Sequence, residues 1–449
     1  MLLSPRLPRG LGDGLVLRMA RREDALQLAE FSAEVQADED LPGELIHEWS
    51  LELYEVPPPS FRAEDDITVV EDTTTGRIVS TICLIPQTWS YDGVRMAVGQ
   101  PELVATHPDY RRRGLVRAQF DVIHERSEAA GHQWQFIDGI PWYYRQFGYS
   151  YALDLPSPPI WRPSGDVAHP PAVALRPAVL DDVGFLARVT TDGMGRGTLG
   201  CVRDHDAWVY ELSRRPGALP AGHVLVLERR EQADTAGRPI GYVVHSPRLR
   251  NGNATVWAFE LAAGENWLEP TAAVLAHLVD WARTQPDGHT PGVRLRLPAA
   301  HPARRCAATR LHHGAPGTIG FYVRVRDLAA FLLAAREVLE ARIAESPVVG
   351  WSGLLGLGLY TERLCLRFDA GRLLDVSRRP PLRVGDDKRD DERDDANLPV
   401  EAFLHLLFGN RPLHQVEATT ADCELQTDTG AAFLDALFPR LELSPWTMG

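Results

Sequence analysis

Apolar positions along the chain keep two rhythms, and the switch between them occurs twice in closely similar surroundings. Leu17-Arg18-Met19-Ala20 alternates with the period of a half-buried strand, and from Arg21 to Ala29 the apolar positions recur three and four apart, as on one face of a helix. The stretch from Leu175 to Ala187 can be laid on it. Leu17/Leu175, Arg18/Arg176, Ala20/Ala178, Asp24/Asp182, Leu28/Leu186 and Ala29/Ala187 then coincide at a constant offset. The pattern predicts one strand-to-helix opening used twice.

Between the copies, Pro156 to Pro171 is rich in proline, which can continue neither a helix nor a central strand, so a linker is expected there. Downstream, Arg326 to Glu345 reads as one long helix through Leu328, Phe331, Leu332, Ala335, Val338 and Leu339. Hairpin-like alternation follows around Leu364, Leu366 and Phe368, then two short helical patterns, Val400 to Phe408 and Ala431 to Phe438. The charged run Gly385 to Asn397 has no apolar anchor and reads as a solvated loop. These breaks divide the chain into domains over 1–155, 172–327 and 328–449, with the linker over 156–171.

Within the first domain, Pro101 to Thr106 reads as a strand and His107 to Tyr110 as a turn. Arg111-Arg112-Arg113-Gly114-Leu115-Val116-Arg117 opens a helix whose expected buried stripe is Val116, Phe120 and Ile123. The first N–H groups of a helix lack internal partners and carry partial positive charge, so they can cradle a pyrophosphate. Gly114 permits close approach, and the arginines add charge-assisted hydrogen bonds. A phosphorylated cofactor fits this arrangement.

Composition narrows the classes further. The 449 residues carry 47 basic and 61 acidic side chains, a net charge of −14, so the average field repels polyanions. Three arginines at the head of an apolar helix suit one pyrophosphate better than a duplex, and no nucleic-acid partner is expected. No apolar stretch approaches the roughly 20 residues of a membrane span. The five cysteines are widely spaced with no CxxC pair, so neither zinc nor a redox disulfide is expected. The first residues, broken by prolines, lack the apolar run of a secretory signal, which points to the cytoplasm.

The Arg111 to Val116 run resembles the GNAT superfamily of acetyltransferases, whose acetyl-CoA signature is Arg/Gln-x-x-Gly-x-Gly/Ala. Val116 departs from the small final residue. Downstream, Trp142-Tyr143-Tyr144-Arg145-Gln146-Phe147-Gly148-Tyr149 is similar to the superfamily's Tyr-x-x-x-Gly-Phe/Tyr segment. The resemblance implies that Tyr144 protonates the departing coenzyme A thiolate. It also implies that the backbone of Val104, Ala105 and Thr106 pairs with the pantetheine arm, and that Arg111, Arg112, Arg113, Gly114, Leu115, Val116 and Arg117 surround the pyrophosphate. Gly139 and Ile140, at the end of the next strand, complete the cofactor contacts.

Along its whole length the chain resembles the Eis-like (enhanced intracellular survival) acetyltransferases. That resemblance implies an α/β (α+β) protein: two tandem GNAT-like domains, each a mixed sheet flanked by helices, then a sterol-carrier-protein-like domain. The first GNAT domain would be catalytic. The second would be degenerate, because Ala262-Ala263-Gly264-Glu265-Asn266-Trp267 offers no arginine where the cofactor turn would be. A homo-oligomer, commonly a hexamer, is implied too.

Direct transfer from acetyl-CoA needs a base. The resemblance offers the terminal carboxylate, here on Gly449, with Trp446 as a possible anchor for the tail; Glu102 on the cofactor strand is the alternative. Acceptor contacts are expected from Glu34 and Asp38, within an acidic run that continues to Glu44 and Glu48, and from Trp142. These carboxylates either draw in a cationic amine (aminoglycoside, polyamine, or lysine of a peptide) or form a solvated face. The competing reading is a lipid- or small-molecule-binding protein that works through its carrier-like domain, with the GNAT domains as scaffold.

Overall fold

The computed structural model describes residues 7–38, 41–165, 169–193, 199–215, 221–230, 237–288, 291–313, 318–382 and 394–448. Its first sheet starts with β1 (Arg9–Gly12), β2 (Leu15–Met19), β3 (Ile67–Asp72), β4 (Arg77–Tyr91) and β5 (Val94–Thr106), all antiparallel neighbours, followed by β6 (Trp134–Ile137) parallel to β5 and by β7 (Ser150–Pro156). Helices α1 (Ala25–Gln36), α2 (Gly43–Glu55) and the short α3 (Ala63–Asp66) lie between β2 and β3, and α4 (Leu115–Ala129) between β5 and β6. Side chains alternate across a strand, so β4 feeds two cores. Cys83 and Ile85 pack with α1 and α2, and Ile82 and Leu84 with Phe120 and Ile123 of α4. Val116, expected in the α4 stripe, is only partly buried and turns toward the cavity described below.

The strand Thr318–Arg324, about 160 residues downstream of β7, runs between β6 and β7 and completes the first sheet. Sequence proximity could not have placed it, because its apolar pattern suits any buried strand. Leu199–Cys201 also pairs with β4, and Leu443–Ser444 pairs with it in turn.

The central unit has its own sheet of seven strands, in the order 311–312, 160–161, 293–295, 254–261, 238–245, 223–229, 173–177. Ile160–Trp161 lies in the proline-rich linker segment yet pairs with two strands of this sheet, the prolines flanking it. The repeat read in the sequence is reproduced at atomic detail. Arg18 forks onto Asp24 at 2.6 and 2.9 Å and reaches Glu71 at 2.7 Å, while Arg176 forks onto Asp182 at 2.7 and 2.8 Å and reaches Glu228 at 2.7 Å. In each copy the aspartate also accepts a backbone N–H, from Arg21 or Val179, and so fixes the turn between strand and helix.

A third sheet orders 372–379, 363–369, 353–358, 396–397 and 424–425. The helix expected over 326–345 is broken at Ala335 into Leu328–Ala334 and Arg336–Ala344, and Leu413–Thr419 is a helix the periodicity did not signal. Most of the charged run lies outside the described residues. Its end is anchored: Asp394 pairs with the buried Arg363, and Asp395 accepts from the Gly356 N–H and the Thr427 hydroxyl.

Candidate active site

Strands β5 and β6 pair only at Val98/Trp134 and Gly99/Gln135 and then diverge. Further along, β5 carries a bulge. Leu103 and Val104 together face Ile82, with Leu103 at φ +52°, so the end of β5 bends away from its neighbour. The opening is a cavity of about 930 Å³, walled by β5 from Glu102 to Thr106, by the start of α4 and by residues 137 to 147.

At one end of the cavity the chain turns into α4 through two left-handed residues, Arg112 at φ +63° and Gly114 at φ +75°. Such alternation points successive N–H groups to one side and makes an anion-binding concavity, continuous here with the free N–H groups of the helix. Arg111, Arg112 and Arg117 line the cavity, Arg111 steadied by the Thr106 carbonyl at 3.2 Å and Arg117 by Gln146 at 2.9 Å. Phosphate groups fit this donor set. Arg113 is not among the lining residues: its guanidinium lies 5.0 Å over the Tyr110 ring and donates to the Asp109 carbonyl. A four-residue arginine-glycine turn cannot aim every arginine the same way.

Deeper in the cavity is Tyr144, 4% exposed, on the turn Tyr143–Phe147. Its hydroxyl faces Gly139, where an added Cβ would lie 3.6 Å away; Gly139 holds φ +116°, a conformation side-chain-bearing residues avoid. Burial, then the negative charges of Glu102 and Asp138, raise the Tyr144 pKa, so the hydroxyl keeps its proton across the physiological range. Glu102 opens onto the cavity and is otherwise enclosed by protein. Burial first and the Asp138 carboxylate second push its pKa up to about 8, against the Gln100 side chain and the Leu103 N–H, which favour the charged form. Asp138, an exposed residue of the cavity lining, is raised as well, by the desolvation its carboxyl meets there, with Arg296 opposing.

Glu102 is held by a relay of buried groups that the sequence did not reveal. The Trp89 indole donates to Gln87 at 3.0 Å, the Gln87 amide donates to Gln100, and the Gln100 amide donates to Glu102 at 2.5 Å. An indole N–H can only donate, so the direction of both amides follows from its end of the chain. Tyr322, from the strand Thr318–Arg324, packs against Tyr144 with ring centroids 5.6 Å apart and accepts the Trp142 N–H.

The cavity end facing α1 and α2 is lined by Val35, Gln36, Leu41, Ile46 and Trp49, with Leu103 from the bulge. The acceptor residues expected from sequence are not among its lining. Glu34 lies 3.8 Å from both Arg77 and His107, and Asp38 accepts the Leu41 N–H at 2.7 Å. Trp142 is 71% exposed, with the Arg145 guanidinium 4.0 Å over its ring. For Glu34 helical spacing explains the exchange, since an amphipathic helix turns its apolar side toward the sheet and its acids toward water.

Gly449 lies outside the described residues. The tail before it is packed: Arg203 stacks 3.2 Å from the Trp446 ring and donates to the carbonyls of Trp446 and Thr447 at 3.0 and 2.7 Å. This tail helps fill the counterpart cleft of the central unit. There the strands 254–261 and 293–295 are also parallel neighbours, but Trp446 and Ser444 join Tyr242, Trp257, Glu260 and His301 around only about 70 Å³. Among the described residues no cluster of His, Cys, Asp or Glu could hold a metal ion, and no helix is long and apolar enough to cross a membrane.

Residues 16–152 match the family model of the acetyltransferase (GNAT) domain. A sequence comparison with curated proteins finds no match. Among solved structures the chain resembles a GCN5-related N-acetyltransferase from Kribbella flavida (16% identity, TM-score 0.63, covering 96% of this chain and 100% of that one). Another such protein, from Anabaena variabilis, gives 14%, 0.62, 96% and 98%. Eis1 from Mycobacterium abscessus is similar over 95% of this chain and 98% of its own, at 15% identity and a TM-score of 0.56. The fold is therefore shared along nearly the whole chain.

Proposed function

We propose that this chain, which carries a GNAT-type N-acetyltransferase domain, transfers acetyl from acetyl-CoA to a primary amine of a small molecule or peptide by direct attack in a ternary complex. The observation that carries the reading is one cavity holding a phosphate cradle at one end and, deeper in, a protonated hydroxyl beside a carboxylate of raised pKa.

Acetyl-CoA supplies the acetyl group. In this reading Arg111, Arg112, Arg117 and the first N–H groups of α4 hold its pyrophosphate, and the backbone of Val104 to Thr106 takes its pantetheine arm. Leu115, Val116, Gly139 and Ile140 line its path. A protonated amine has no free electron pair, so Glu102 takes its proton, a task suited to a carboxylate more basic than usual. Tyr144 donates its proton to the coenzyme A thiolate as it leaves, and the adjacent carboxylates keep that proton in place beforehand.

The test is thiol release from acetyl-CoA over a panel of amines. Tyr144→Phe is expected to lower kcat by about 100-fold, within the range of general acid catalysis, with affinity for acetyl-CoA nearly unchanged. Turnover equal to wild type removes Tyr144 from the mechanism.

A further inference from the structure

The cavity has a second message, about the body that carries the amine. We propose that the acceptor is a primary amine borne on an apolar group of aromatic size, and not a polycation. This rests on the acetyltransferase reading above.

Three observations carry it. The wall offered to the acceptor is Val35, Leu41, Ile46, Trp49 and Leu103, with Gln36 as its polar member. The described acids of the neighbouring segment lie away from that wall: Glu34 is near Arg77 and His107, Asp38 closes its own turn, and Glu44 and Glu48 are exposed. The carboxylates among the described lining residues are Glu102 and Asp138, beside Tyr144 at the reacting end. Among the described residues there is thus one place for a positive charge, where the acetyl group must be received, and apolar surface beyond it. A polyamine or aminoglycoside would have to lay further ammonium groups on that surface without a partner, giving up their hydration with no charge or acceptor to replace it. An aryl or alkyl body gains by leaving water there.

The experiment measures kcat/KM, by thiol release and by mass of the acetylated product, for propyl- to hexylamine, phenethylamine, tryptamine, spermidine, an aminoglycoside and a lysine peptide. The expected result is a rise of about fourfold per methylene along the alkyl series, with the aromatic amines at least about tenfold above spermidine. Leu41 is partly exposed, so Leu41→Asp places a carboxylate on the wall with little risk to folding. It should lower the aromatic-to-spermidine ratio by about tenfold or more. A flat alkyl series, or spermidine or the aminoglycoside equal to or above the aromatic amines, overturns the inference and leaves the acetyltransferase reading intact. Binding of acetyl-CoA with acetylation of no amine overturns both.

Discussion

Replacing Gln100 by leucine should move the pH profile of the enzyme, and the relay allows the size to be worked out. Gln100 is 2% exposed and Gln87 5%, so neither amide can turn to water when a partner is lost. Leucine keeps most of the volume but removes the donor to Glu102 and the acceptor for Gln87. A hydrogen bond to a charged group contributes about 1.5–3 kcal/mol, and 1.36 kcal/mol corresponds to one pKa unit, so Glu102 should rise by about one to two units from its already raised position near 8.

The sign follows from the proposed role of Glu102 as base. A base acts deprotonated, so activity climbs with pH through the Glu102 pKa and is lost below it. Near neutrality Gln100→Leu should therefore be about 10- to 100-fold slower in kcat/KM and should recover toward wild type at the alkaline end. The assay follows product by mass from pH 6 to 10 with one amine, whose own ionisation cancels in the ratio of the two enzymes. Gln87→Leu separates charge from packing. It leaves the donor to Glu102 in place, so it should cost comparable stability, about 1–3 kcal/mol for the orphaned partners, with little movement of the profile. A Gln100→Leu profile lowered equally at every pH would refute the argument, because the hydrogen bond would then not control the group that titrates.

Two further outcomes are expected. Asp24→Asn and Asp182→Asn remove the same interaction from the two copies of the repeat, but the Arg18 side chain is 10% exposed and that of Arg176 35%. The first should lower the thermal midpoint more, by about 2–4 kcal/mol of destabilisation against about 1–2, and equal or reversed shifts would count against burial as the cause. Gly139→Ala forces a side chain onto a backbone at φ +116° beside the Tyr144 hydroxyl. The loop should relax at a cost of about 1–3 kcal/mol and kcat should fall at least tenfold, while unchanged kcat would show that the position of the hydroxyl does not depend on Gly139.

What the sequence determined by itself was local. The repeat at Arg18 and Arg176 was legible because a strand running into a helix through an arginine-aspartate fork needs those residues at fixed short spacings. The turn at Gly114 and the aromatic run around Tyr144 were legible for the same reason, each being made by neighbours in the chain. Even there direction was not legible: Arg113 turns to Tyr110, and Glu34, Asp38 and Trp142 are not among the described residues lining the cavity, because periodicity gives the face of an element but not what packs against it. Tertiary structure decided the rest. Thr318–Arg324 joins the first sheet and brings Tyr322 to Tyr144, and the divergence of β5 from β6 sets Asp138 beside Glu102. A buried relay from Trp89 holds that carboxylate, and the apolar side of α1 and α2 becomes one wall of the cavity. These features depend on contacts between residues far apart in the chain, where burial and neighbouring charge, not residue type, set the chemistry of a carboxylate or a tyrosine.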